Sequence, residues 1–314
     1  MTTPLLSIVI VNWNLVDDLR GCLASLARQT EKGFETLVVD NGSEDGSAEM
    51  VAAEFPDVTL LRETENLGFA EACNRGIAKS AGTWAVMLNN DTVVDERFVE
   101  ALSAAAREAP ADCGMLQTLM LYQGRPGTIN STGIELTFSG GGRDRDEGKA
   151  RDGKLVSEEI FCPTAGAAAY RREMLDAIAL PDGVFDRRHF MYYEDLDLGW
   201  RGRLAGWSAR FVPGSIVHHR WHGSSDRHGR SWLEAIACTN RLRTLIKNAS
   251  VPFLLRTSPR TALEVGKIAW HGRWSGVTRL ARALGESTAA RRRVTGLVKV
   301  ARRDVERAWT APPA

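Results

Sequence analysis

Three short clusters in this chain of 314 residues combine carboxylates, amides and imidazoles in patterns that can do chemistry. The first is Leu88-Asn89-Asn90-Asp91-Thr92, where a hydrophobic run gives out into two amides and a carboxylate. A carboxylate on the loop after a strand can hold a divalent cation, and that cation can bridge a diphosphate leaving group. A lone Asp there also serves as an ordinary turn or helix cap, so its weight comes from its company. The second cluster is Tyr193-Glu194-Asp195-Leu196-Asp197-Leu198-Gly199-Trp200-Arg201. Three carboxylates within four positions repel one another unless a metal, arginines or helix N-terminal amides compensate. Asp195 at the head of a helix is placed to act as a general base; a helix cap favoured by the dipole is the competing account. The third, His218-His219-Arg220-Trp221-His222-Gly223-Ser224-Ser225, holds three of the six histidines. Neutral imidazole suits Mn2+ or a similar ion, although a solvated loop would read the same way.

The elements that must position these clusters follow from pattern. Leu6 to Val11 is a buried-strand run, and Val16 to Ala27 spaces apolar residues as a helix does. Glu35 to Val39 predicts a second strand, Val58 to Leu61 a third and Thr83 to Leu88 a fourth, with helical stretches at Ser47 to Phe55 and Phe69 to Ala78 between them. Such alternation implies βαβ units in a doubly wound, mostly parallel α/β sheet flanked by helices. Ligands of such sheets bind beyond the carboxyl ends of the strands. Asn12-Trp13-Asn14, Asp40-Asn41-Gly42-Ser43 and Asn89-Asn90-Asp91 all fall there. The stretch Ser139 to Gly153, SGGGRDRDEGKARDG, has nothing to bury and reads as a loop. A strand over Ala209 to Val212 leads to the histidines. The expected division is a catalytic domain over 1–225, split near 92 into nucleotide-binding and acceptor-binding halves, and a basic helical region over 226–314.

Composition restricts the function. The apolar share of 44 % and charged share of 25 % are those of a soluble globular protein. No run has the roughly 18 to 20 apolar residues of a membrane span, and the N-terminus lacks a signal-peptide pattern. Cys22, Cys73, Cys113, Cys162 and Cys238 show no paired spacing, which points to a reducing cytoplasm. The net charge of +1 conceals a split: residues 226–314 hold 18 Lys and Arg against 6 Asp and Glu, so the tail is strongly basic. From Leu263 the apolar residues Leu263, Trp270, Trp274, Val277, Ala281 and Leu284 form one helical stripe, with Lys267, Arg273, Arg279 and Arg282 elsewhere around the helix. Such a helix suits an anionic membrane interface, and equally a packing face against the catalytic domain or a second copy of the chain. A nucleic-acid partner would leave the acidic clusters unexplained and is not expected.

Six segments, in this order, resemble the family 2 glycosyltransferases: Ser7 to Asn14, Val38 to Ser47, Glu65 to Ile77, Leu88 to Thr92, Gly166 to Glu173 and Phe185 to Trp207. The wording is most similar to the bacterial rhamnosyltransferase and galactofuranosyltransferase-like branch. The resemblance implies a GT-A fold and an inverting transfer of a sugar, rhamnose from dTDP-rhamnose foremost, from a nucleotide diphosphate to a hydroxyl of a glycan or lipid-linked acceptor. It assigns Asn12, Asp40, Asn66, Gly68, Asn74, Asn90 and Asp91 to the nucleotide sugar, and Glu194 and Trp207 to the acceptor. It makes Asp195 the general base and Asp91 with His219 the ligands of a divalent cation, Mn2+ or Mg2+, with His218 as the alternative ligand. Where the family has a DXD motif this chain has Asn89-Asn90-Asp91, with one carboxylate left. That departure keeps a second reading open, a nucleotide-sugar-binding homologue without catalysis. The expected location is the cytoplasm, on the inner face of the cell membrane if the tail docks there.

Overall fold

The computed structural model describes residues 3–220 and 229–312. Four strands open the fold: β1 (Leu6–Asn12), β2 (Glu35–Asn41), β3 (Thr59–Glu63) and β4 (Trp84–Asn89), parallel in the order β3-β2-β1-β4. Helices α1 (Val16–Ala27), α2 (Ser47–Glu54) and α3 (Phe69–Lys79) make the crossovers. The centres of β1, β2 and β4 read as apolar runs because both faces are covered, whereas β3, at the sheet edge, leaves Thr59 and Arg62 exposed. In β1, Ile8 and Ile10 enter one core with Leu19 and Leu23 of α1, while Val9 enters the opposite core with Ala72 and Cys73 of α3.

The second half makes the sheet mixed. After β5 (Thr92–Val94) and α4 (Phe98–Glu108) comes β6 (Cys113–Tyr122), followed by β7 (Ile129–Ser131), β8 (Ile134–Leu136) and β9 (Gly142–Asp144). Strand β10 (Ala167–Arg171) inserts antiparallel between β4 and β6, its alanines leaving little side chain to accommodate. Helix α5 (Arg172–Ile178) and a short 3-10 turn at Arg187–His189 precede α6 (Glu194–Leu204). Strand β11 (Ser208–His219) then runs parallel to β6, and its last residues pair antiparallel with β5.

Strand ends and registers decide where chemistry can occur. Asn12 is level with Asp40 across β1 and β2, and Val11 with Asn89 across β1 and β4. His219 is level with Thr92, which sets it beside Asp91. The strand over Ala209 to Val212 therefore extends further than its apolar run, and His218 and His219 lie on it rather than in a loop.

The glycine-rich stretch after Ser139 is likewise not a bare loop. Gly142–Asp144 is β9, paired with β8, and Gly140 and Gly141 are buried. A Cβ at Gly140 would meet Leu245, Thr257 and Phe253, so the absence of a side chain is what lets this turn pack.

The chain ends in α7 (Arg230–Asn248), the 47-residue α8 (Val251–Leu297) and α9 (Arg302–Trp309). Leu245, Phe253, Val294 and Val305 share one core with the sheet, so these helices complete the body that the strands begin. The boundary expected at 225 falls in 221–228, outside the described residues. Of the expected apolar stripe on the tail, Leu263, Trp270, Ala281 and Leu284 are exposed, and the side chains of Trp274 and Val277 lie outside the described residues.

Candidate active site

A cavity of about 820 Å³ opens at the carboxyl ends of β1 and β4. Asp91, Asp195 and His219 all face it, together with Asn66, Gly68, Asn90 and Glu194. Residues more than a hundred positions apart in the chain thus meet in one chamber.

Asp91 is buried beside β5, and its Oδ1 lies 3.2 Å from His219 Nε2. His219 Nδ1 is 2.8 Å from Asn130 Oδ1, an oxygen that only accepts, so the ring donates there and its Nε2 is the nitrogen turned to Asp91. A carboxylate oxygen and an imidazole nitrogen 3.2 Å apart on the cavity wall are both ligand types for a divalent cation, so this donor set fits one. His218 Nε2 instead pairs with Asp95 at 3.0 Å and is not among the residues lining the cavity. His222 lies outside the described residues.

Asp195 sits at the start of α6, half-buried on the cavity wall. Leu196 N donates to its Oδ1 at 2.7 Å and Ala165 N to its Oδ2 at 3.2 Å. Burial pushes its carboxyl up, and those donated hydrogen bonds restrain the rise. Glu194, 6 % exposed, is pushed well above the usual carboxylate range by burial and by Asp195, and its Oε2 has no partner among the described residues. Phe190, Tyr192 and Tyr193 hold positive φ ahead of α6, a costly run for residues with side chains. Asn240 of α7 secures the run: its Nδ2 donates to the carbonyls of His189, Met191 and Tyr192 at 2.6, 2.9 and 3.0 Å.

The other expected residues divide. Asn12 and Asp40 are buried behind the cavity wall, where Asn90 donates to Asn12 at 2.7 Å and Asn12 to Asp40 at 3.3 Å. They fix the wall, and Trp13 and Asn41 present its surface. Asn66 accepts from Asn41 and from the Gly68 amide. Gly68 has φ +84°, and a Cβ there would strike Phe190, so its freedom serves the approach of that loop. Asn74 clasps Phe185 through both its N–H and C=O and does not line the cavity. Trp207 follows the far end of α6, also away from the cavity.

Asp144 and Glu147, from the stretch read as a loop, do line the cavity. Burial pushes the Asp144 carboxyl up to about 6, with Asp195 and Glu147 adding to the rise and a hydrogen bond from Ser131 opposing it. The alternation Arg143-Asp144-Arg145-Asp146 was the available sign of a two-faced strand.

A second group of metal-ligating types, Asp186, His189 and Asp197, converges in the interior. There the ammonium of Lys247 lies 2.6 Å from Asp186 and 2.9 Å from Asp197, and Arg201 Nε is 3.1 Å from Asp197. A lysine occupies the centre a metal would need, so we assign this group to structure.

The mixed sheet, with an acid-and-imidazole chamber at its strand ends, has the GT-A fold. Solved structures of that kind superpose on it. One is GalNAc-T7 with UDP, GalNAc and Mn2+ (TM-score 0.60, 17 % identity, 78 % of this chain and 48 % of that longer one). Another is a mannosyltransferase from Pyrobaculum calidifontis with GDP-Man and Mn2+ (TM-score 0.56, 16 % identity, 98 % and 88 %).

The model of glycosyl transferase family 2 matches residues 7–179, and the chain belongs to that family. An N-acetylglucosaminyl-diphospho-decaprenol L-rhamnosyltransferase of Mycobacterium tuberculosis is 31 % identical over 264 residues, covering 74 % of this chain and 81 % of the relative. A putative glycosyltransferase of Bacillus subtilis is 24 % identical over 227 residues, covering 72 % and 63 %.

Proposed function

We propose that this glycosyltransferase moves L-rhamnose from dTDP-rhamnose to a hydroxyl of a lipid-diphosphate-linked sugar, with inversion at the anomeric carbon. The observation that carries the mechanism is Asp195: a carboxylate fixed by backbone amides, raised in basicity by burial, and open to the cavity that holds Asp91 and His219. Asp195 takes the acceptor's proton as that oxygen attacks the anomeric carbon. The bond from that carbon to the diphosphate oxygen breaks in the same displacement, and the nucleoside diphosphate leaves. Asp91 and His219 would hold a divalent cation, Mn2+ by the softness of the imidazole, and that cation would supply positive charge for the leaving diphosphate. Glu194, whose neutral form burial favours and whose Oε2 has no partner among the described residues, hydrogen-bonds the acceptor sugar. The donor and acceptor classes rest on the mycobacterial relative, and the five free cysteines suit a reducing cytoplasm.

The test has two arms. Asp195→Asn keeps the shape and removes the proton acceptor, so kcat should fall at least ~10²-fold with donor affinity nearly unchanged. Wild-type turnover in that variant would reduce Asp195 to a helix cap. Calorimetric titration should show dTDP binding more tightly than UDP; tight UDP and negligible dTDP binding would overturn the donor assignment. Nucleotide binding with no transfer to any lipid-linked acceptor would favour the binding-only reading raised by Asn89-Asn90-Asp91.

A further inference from the structure

Helix α8 meets the body through one face, with Phe253 and Thr257 buried early and Leu280 and Ala283 further along. Away from Phe253 and Thr257 runs a different surface. Val251 is 61 % exposed, Leu255 69 %, Leu263 71 % and Trp270 84 %. At 100° per residue these four fall within an arc of about 120°, and between 251 and 270 only Pro, Ala and Gly share that arc with them. A rise of 1.5 Å per residue makes the stripe about 28 Å long. Isolated exposed apolar residues are ordinary; an aligned run of them on one helix marks an interaction surface.

The charge beside the stripe selects the partner. Arg256, Arg260 and Lys267 follow one edge of it. From residue 251 to the end the chain holds 13 Lys and Arg against 4 Asp and Glu. A second copy of this face would bring like charges together, whereas anionic lipid complements them. No described helix is long and apolar enough to cross a membrane. A helix with an apolar arc, a tryptophan on it and cations at its edge lies in the interface instead.

The surface also adjoins the active site. Phe138, 44 % exposed, lies beneath the Arg256 guanidinium at 4.2 Å, and Arg260 donates to Ser139. The same turn continues into β9, whose Gly142 and Asp144 line the cavity.

We propose that the N-terminal half of α8 docks on an anionic membrane, with Val251, Leu255, Leu263 and Trp270 sunk to the acyl boundary and the flanking cations on lipid phosphates. A lipid-linked acceptor held in that membrane is then presented beside the cavity mouth. Only this consequence rests on the proposed function; docking itself needs no substrate.

The experiment is co-sedimentation of the full chain with phosphatidylcholine vesicles, with and without phosphatidylglycerol. Wild-type protein should bind the anionic vesicles, and less in high salt. Leu263→Glu/Trp270→Glu, at exposed positions, should weaken binding ~10-fold or more with an unchanged melting curve. Leu255→Gln/Trp270→Ser is a milder second pair for the case that the first disturbs the fold. Absence of vesicle binding by the wild type, or binding by both pairs equal to wild type, would overturn the proposal. So would a wild-type dimer that the substitutions dissolve, which would give the face to a second copy. Turnover on a short-chain, water-soluble acceptor should be unchanged in the variants. If that acceptor fails with wild type while vesicle binding behaves as stated, the substrate reading falls and the docking surface stands.

Discussion

The molecule contains two acid-rich clusters of opposite electrostatic design. In the interior group, Asp186 and Asp197 meet Lys247 and Arg201, and both carboxyls are held below the usual range even though burial opposes it. His189 beside them is driven down to about 4, chiefly by burial and secondly by Lys247, and stays neutral. In the cavity, among the described residues, six carboxylic residues of the lining face one guanidinium, Arg143, already paired with Glu135 at 2.6 Å. There Asp144, Glu194 and Asp195 are all raised. One cluster carries its cations within the chain; the other takes its missing positive charge or hydrogen-bond donors from what binds. Acidic residues and histidine are common to both, so residue type alone does not separate a brace from a site. The presence or absence of internal compensation does.

The largest effect should come from breaking the compensated cluster. Lys247→Met removes the ammonium between Asp186 and Asp197 and leaves two buried carboxylates facing each other. Breaking a buried pair in this way costs about 3–5 kcal/mol, a fall in Tm of roughly 10 °C in a chain of this size. Asp195→Asn, in the uncompensated cluster, should leave Tm unchanged or raise it. Thermal melts of both variants side by side make the check, and equal Tm values would erase the distinction.

Legibility follows the same division. Strands β1, β2 and β4 and their polar ends were readable because both faces of each are buried along its centre, which writes an apolar run; the edge strand β3 is only partly covered and shows just Leu60 and Leu61. Asp91 and Asp195 lie in ordered segments that resemble a family, the same resemblance assigned His219 beyond them, and all three line one cavity. The brace was not readable: Lys247 reaches Asp186 across 61 positions and Asn240 reaches His189 across 51, distances over which no local pattern specifies contact. Asp144 was hidden by composition, since glycines and alternating charges read as a solvated loop unless period two is recognised. Asn74 serves the chain itself by clasping Phe185 away from the cavity, whereas Gly68 both admits Phe190 and lines the cavity.

A smaller effect is expected where the cavity lacks charge. With Asn89 and Asn90 flanking Asp91, the site offers one carboxylate and one imidazole, which makes for weak intrinsic affinity for a hard cation. Mn2+ titration should show little binding to the free protein and clear binding once a nucleoside diphosphate supplies oxygens. Asp91→Ala and His219→Ala each remove a direct ligand and should lower that Mn2+ affinity by at least about tenfold, the lower end of the cost of disturbing even an outer-shell partner, and reduce activity, with added Mn2+ partly restoring the histidine variant. Full activity in excess chelator would remove the metal from the mechanism.

The smallest effect is one of sign, at Asp144. Its carboxyl titrates at about 6 in the folded chain against an ordinary 3.8, chiefly because burial disfavours the charge. A group raised on folding favours the folded state fully below its unfolded value, and that favour is lost as pH climbs through the folded one. Asp144 therefore weakens the fold progressively between about pH 4 and pH 6 and keeps it weakened above. Taken at face value the shift is worth about 3 kcal/mol; because the group borders an open cavity, screening leaves roughly 1 kcal/mol. Asp144→Asn keeps the shape without the charge. In chelator, so that no bound cation offsets the repulsion, the variant should melt above wild type at pH 7.5 by a few degrees, and the two should converge near pH 4. A variant that melts lower at pH 7.5 would show that Asp144 is compensated within the chain, as Asp186 is, and would move it from the open cluster to the closed one.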